Sequence, residues 1–239
     1  FMLTTRFGDV PLVLNTPASG KLADVRIPQT SQRMVYLKII EDMETAAKLV
    51  KPASEVECGG RISQSAVYGI LARVCLYMAG NPVNEPGMYV RAKEFAAKVI
   101  DTGFHALNPS YQQVFINYIQ DKYDIRESIF EVEFYGNNVG TYTTTAGQVG
   151  RNNGIKFTNT DKPEIGYSIG SIRATPYFFQ LFEDDDERRD WSIADYEFTD
   201  EGEKKAISSN NMWIRFCGKF RREYELLTPK STTNTSTNL

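Results

Sequence analysis

The chain has 239 residues, of which 41% are hydrophobic and 24% charged, with a net charge of −3. That balance supports a globular core and lacks the basic excess that a nucleic-acid footprint needs. No run of about 18 apolar residues occurs, so no membrane-spanning helix is expected.

Residues 1–30 read as irregular, because Gly8 and Pro11 interrupt any helix arriving from upstream. A helix is expected from Ser31, a good N-cap, to about Val50. Tyr36, Ile39, Ile40, Met43, Ala46, Ala47 and Val50 form its apolar stripe at helical spacing. A second helix starts at Ser63 after Gly59-Gly60, with Val67, Ile70, Leu71, Val74 and Met78 on one side and Gly80 closing it. A third runs from about Tyr89 to Thr102 with Ala92, Phe95, Ala96, Val99 and Ile100 inward, and Gly103 ends it. A helix pair joined by a short linker cannot bury its apolar face alone and must stack on further elements.

Tyr111–Ile119 reads as a short helix. Ser128 to Phe134 alternates apolar and polar residues and predicts a half-buried strand. Residues 135–175 are rich in Gly, Asn and Thr, with isolated aromatics at Tyr135, Tyr142, Phe157 and Tyr167. A segment of that length without regular periodicity points to a binding loop or a disordered stretch. Thr175 to Phe182 is expected to be helical, with Pro176 in its first turn. The charge run Glu183–Asp190 follows. Trp191–Phe198 and Met212–Phe220 then read as strands or irregular core pieces. The opening Phe1-Met2-Leu3 has no signal-peptide character and residues 231–238 are a polar tail, so the chain reads as a piece of a longer protein.

The order of several segments resembles the SusD/RagB family. These are Arg6-Phe7-Gly8-Asp9-Val10-Pro11-Leu12-Val13, then Arg33 to Ala47, then Gly60-Arg61-Ile62-Ser63 with Ala66, Ala72-Arg73-Val74 and Leu76-Tyr77. Tyr89–Ile100, Ser128-Ile129-Phe130-Glu131-Val132, and Arg173-Ala174-Thr175 with Leu181-Phe182 and Asp186 to Asp190 continue the likeness. The resemblance implies a mainly α fold of tetratricopeptide-like helix pairs with a loop-rich, partly β region packed against them. It makes residues 1–239 the central fragment of one SusD-like domain, with 31–103 as the helical-repeat part and 128–239 as the loop-rich, ligand-binding part. It further implies a non-enzymatic, surface-exposed outer-membrane lipoprotein, its lipid anchor outside this chain. Such a protein would capture a glycan, or a peptide as in RagB-like members, and deliver it to a SusC-like TonB-dependent barrel. A generic helical-repeat scaffold is the reading from a different class.

The residues themselves offer little catalytic chemistry. His105 is the sole histidine, so a triad would have to use it; just past a helix end, it reads as a surface or capping residue. Asp184-Asp185-Asp186-Glu187 lacks the alternate spacing of a calcium loop and reads as a solvated charge run beside Arg188 and Arg189. Glu131 and Glu133 could form a glycosidase pair on one strand face, but alternation with apolar neighbours explains them as its wet side. Cys58, Cys75 and Cys217 have no metal-ligand spacing; Cys75 falls in an apolar stripe, and Cys58 and Cys217 could pair. Neither metal nor cofactor is expected. Ligand contacts are placed on Tyr142, Arg151, Asn152, Asn153 and Tyr167, whose aromatic faces and amide or guanidinium donors suit a polyhydroxylated ligand. Trp191 and Trp213 read as core or rim.

Overall fold

The computed structural model describes residues 1–16, 19–132, 148–226 and 230. The chain divides into two compact units, Phe1–Ala106 and Leu107–Leu239.

The first unit begins with helix α1 (Met2–Phe7), which the sequence reading left irregular. Six residues are too few to show a stripe, and a long-range contact holds α1 in place. The buried Gln32 side chain donates to the Thr4 carbonyl at 2.8 Å and to the Tyr36 hydroxyl at 3.1 Å. Strand β1 (Val10–Pro11), short helix α2 (Leu22–Val25) and strand β2 (Gln29–Thr30) follow, with β1 and β2 paired antiparallel.

The expected helices then appear as α3 (Gln32–Ala46), α4 (Gln64–Ala79) and α5 (Met88–Ile100). Ser31 and Ser63 cap α3 and α4, their hydroxyls accepting the Met34 and Ala66 amides. Helix α4 lies against both α3 and α5. Its Leu71, Val74, Cys75 and Met78 are 0% exposed and form the centre of a cluster with Tyr36, Ile40, Ala92 and Phe95. Met43, Ile70 and Ala96 pack half-buried around it. Ile100 does not join them. It is 75% exposed in the last turn of α5, where the stripe has rotated out of the core. Burial pushes the Cys75 thiol pKa up, and all three cysteines are free.

The second unit is held differently. Helix α6 (Tyr111–Ile119) matches its expected bounds. Residues 128–132 form no strand: Phe130 and Val132 are exposed and the Ser128 hydroxyl bonds the Glu131 carboxylate at 2.9 Å. Alternation yields a strand only where a ladder completes the backbone bonds, and none of the described residues pairs with this segment. Glu133 and Phe134, the rest of that expectation, lie outside the described residues.

Short helices α7 (Gln148–Asn153), α8 (Pro176–Gln180) and α9 (Glu187–Ser192) come next. The charge run thus includes a helix, because Asp186 caps it by accepting the Arg188 amide at 2.9 Å. Strands β3 (Tyr196–Phe198) and β4 (Lys204–Ala206) form an antiparallel hairpin. No described helix is long and apolar enough to cross a membrane.

Alongside a small apolar cluster of Ile155, Ala194, Tyr196 and Phe216, guanidiniums supply internal ties of this unit. Arg222 and Glu225 form an ion pair at 2.5 Å with side chains only 2% and 1% exposed, and Arg222 also donates to the Tyr167 carbonyl at 2.6 Å. Arg221 lies 4.1 Å from the Trp191 ring centre and donates to the carbonyls of Gly218, Asp190 and Trp191. Trp191 is therefore core, whereas Trp213 is 66% exposed.

Candidate ligand-binding site

Three stretches of extended backbone meet at residues 215–218. On one side, Arg173 bridges Phe216, the Cys217 amide donates to the Ile172 carbonyl at 3.2 Å, and the Ala174 amide donates to the Arg215 carbonyl at 3.0 Å. On the other, Ile193 bridges Cys217, and the Gly218 amide donates to the Ser192 carbonyl at 2.8 Å. Gly218 is required there, since a Cβ would stand 2.4 Å from the Trp191 carbonyl oxygen. This patchwork is the floor of a cavity of about 580 Å³. Ile172, Ala174, Ile193 and Cys217 supply its apolar surface.

Helix α8 supplies an aromatic wall. The Thr175 hydroxyl accepts the Phe178 amide at 3.1 Å and Pro176 takes the first position, so the helix starts where the floor ends. Phe178 in α8 and Phe182, two residues past its end, meet edge to face with ring centres 5.2 Å apart; both line the cavity. Opposite in sequence, Tyr111 opens α6, and its hydroxyl lies 3.2 Å from that of Ser192, a second lining residue. Arg173, Arg188 and Lys219 complete the lining. Arg173 sits 4.9 Å from the Phe216 ring centre and Lys219 5.2 Å from that of Phe115. The site thus combines flat apolar faces with hydroxyl, guanidinium and ammonium donors, a set suited to a ligand with C–H faces and many oxygens.

Comparison with known proteins fits this geometry. The SusD-like family described as "Starch-binding associating with outer membrane" matches residues 1–76. A SusD homologue from Bacteroides thetaiotaomicron is 24% identical, over 99% of this chain and 49% of its own, with a TM-score of 0.75. The chain has the SusD fold, and residues 1–76 match the SusD-like sequence pattern. A SusD superfamily protein from Parabacteroides distasonis is 20% identical over 100% of this chain and 48% of its own, at a TM-score of 0.67. Surface glycan-binding protein A from Bacteroides thetaiotaomicron, solved in complex with laminarihexaose, is 18% identical over 88% of this chain and 47% of its own, at a TM-score of 0.57. The chain spans about half the length of each of these proteins. No curated protein sequence matches it.

Within this SusD-like fold, some of the expected contact residues come together. The Arg151 guanidinium lies 5.7 Å from the Tyr167 ring centre and donates to the Asn152 side-chain oxygen at 3.0 Å. Asn153 closes α7, half-buried. Tyr142 lies outside the described residues. The backbone of α7 also does structural work: the Arg151 and Asn152 carbonyls accept the Ile169 and Ser171 amides at 2.8 and 2.7 Å, anchoring the strand that runs into the cavity floor.

The cavity itself was not anticipated. The expected helix over Thr175 to Phe182 carries no sign of it: the helix ends at Gln180, and Phe182 lies beyond it against Phe178. His105 packs edge to face on Phe104 at 5.1 Å. Asp186 is engaged by Arg188 and Asp184 by Arg189, and no described cluster of three or more His, Cys, Asp or Glu side chains could hold a metal. The Arg188 guanidinium holds the Asp186 carboxyl below the ordinary carboxylate range.

Proposed function

We propose that the protein captures a glycan at the cell surface, without cleaving it, and passes it to a SusC-like TonB-dependent barrel in the outer membrane. The observation that carries this reading is the cavity walled by Phe178 and Phe182 beside hydroxyl and guanidinium donors. The SusD fold and the laminarihexaose complex of a similar protein support it. In this reading residues 1–239 are the central part of one SusD-like domain, with 31–103 as its helical-repeat part and 128–239 as its ligand-binding part. Arg151, Asn152, Asn153 and Tyr167, with Tyr142, are proposed as further ligand contacts.

Rings that stack without enclosing the ligand bind weakly, in the range of about −4 to −8 kcal/mol, or millimolar to micromolar. Such affinity suits a protein that must release its cargo. Calorimetry with β-glucan and xyloglucan oligosaccharides, alongside a peptide library, tests the assignment. Saturable binding of an oligosaccharide that is recovered intact, weakened by Phe178→Ala, is the expected result. Binding of peptides alone would move the assignment to the RagB-like alternative. Shortening of the oligosaccharide that stops in Glu131→Gln would make the protein an enzyme.

A further inference from the structure

We infer that the α8 cavity selects an acidic glycan, one bearing carboxylate or sulfate groups; this rests on the glycan-binding reading above and names the ligand class of that same site. The lining carries three cations, Arg173, Arg188 and Lys219, and no carboxylate among the described residues. This is a local reversal of sign in a chain with 27 Lys and Arg against 30 Asp and Glu.

The three cations are not equivalent. Arg188 is neutralised in place by Asp186, which it grips with Nε at 2.8 Å and Nη2 at 2.5 Å. Arg173 and Lys219 form no ion pair with a described residue. Each instead rests on an aromatic ring, Phe216 and Phe115 respectively. A ring face fixes the position of a cation without cancelling its charge, so both stay available to an anion. The backbone sets them together. Arg173 is bridged to Phe216, and Lys219 stands at the bend that follows Gly218, where that extended segment ends; both side chains line the cavity. A guanidinium presents a planar fork that matches a carboxylate or sulfate with two parallel hydrogen bonds, while the ammonium adds an adaptable point charge. Phe178 and Phe182 lie beside them to take the C–H face of the ring that bears the anion. A neutral sugar would use the rings and leave both cations without an anionic partner, so the preference comes from attraction to the anion.

The test uses the intact protein and three probes of matched length: an oligogalacturonate, a sulfated oligosaccharide and laminarihexaose. The acidic probes should bind about tenfold tighter than the neutral one at low salt, and the advantage should shrink as sodium chloride is raised towards 0.5 M, about a 4 Å screening length. Which acidic probe binds better assigns the anion as carboxylate or sulfate. Arg173→Gln combined with Lys219→Gln should bring the acidic probes down to the level of the neutral one. Equal binding of neutral and acidic probes to the unmodified protein, or a salt-insensitive preference, overturns the inference while leaving glycan binding standing. Failure of all three probes to bind removes the glycan reading and the inference with it.

Discussion

Leu71, Val74 and Cys75 in the first unit are sealed between helices by apolar contact alone, whereas the second unit buries the charged side chains of Arg221, Arg222, Glu225 and Lys230. The first arrangement gains stability from area removed from water and tolerates local imprecision, since hydrophobic contact has no direction. The second depends on direction. Arg222 must reach Glu225 and the Tyr167 carbonyl together, or a charge is left buried without a partner. The irregular unit can thereby hold a surface of chosen shape with few regular elements, at the cost of depending on single residues. The proposed site belongs to that unit.

The sharpest way to break this contrast is Arg222→Met. It leaves Glu225 buried and unpaired and should cost about 3–5 kcal/mol, while Arg222→Met with Glu225→Leu should recover most of the loss. Urea unfolding measures both, and a single-variant cost below about 1 kcal/mol would mean that the ion pair is an accessory to packing. Leu71→Ala should cost about 2–5 kcal/mol by leaving a cavity, and Leu71→Met under about 1.5, because the first unit responds to volume more than to geometry. Thr175→Ala should remove about 0.5–2 kcal/mol of local α8 stability, read by hydrogen exchange, and weaken oligosaccharide binding with it. Ser63→Ala should cost a similar amount in the first unit with no effect on binding. Phe178→Ala, at a ring 48% exposed, should leave the melting temperature nearly unchanged and lower glycan affinity about tenfold.

The smallest effect is acidic. The Asp186 carboxyl is held below its ordinary pKa by Arg188, so its contribution to α9 is fully present above about pH 4 and is lost as pH falls through the depressed folded value. The protection of the α9 amides, corrected for the intrinsic exchange rate at each pH, should fall below that pH, and Arg188→Gln should move the onset upward.

Legibility from sequence followed the same division. The α3, α4 and α5 stripes and the Ser31 and Ser63 caps are local signals, written at spacings of three and four residues. Their positions could be read directly, down to Leu71 at the centre. Thr175-Pro176 announced α8 in the same way. In the second unit the decisive contacts join Arg173 to Phe216, Ile193 to Cys217 and Tyr167 to Arg222, and no periodicity connects such partners. The alternation at residues 128–132 misled for the complementary reason: it carries no information about a partner, and no described residue pairs with them. Arg151, Asn152 and Tyr167 were singled out for side-chain chemistry, while the backbone bonds from Arg151 and Asn152 that anchor the cavity floor have no signature in residue type.

One aromatic contact beside the cavity bears on how long a ligand stays. The Phe179 ring lies close to two guanidiniums, Arg189 at 5.0 Å and Arg215 at 4.8 Å, which ties α8 to α9 and to the floor before any ligand arrives. A wall fixed in advance asks little ordering entropy of an incoming sugar and imposes no closing step on the encounter. Association can then approach the rate set by orientation alone, about 10⁵–10⁷ M⁻¹s⁻¹. Paired with the proposed millimolar-to-micromolar affinity, that rate keeps the residence time of the proposed sugar ligand short, as the proposed hand-over to a transporter requires.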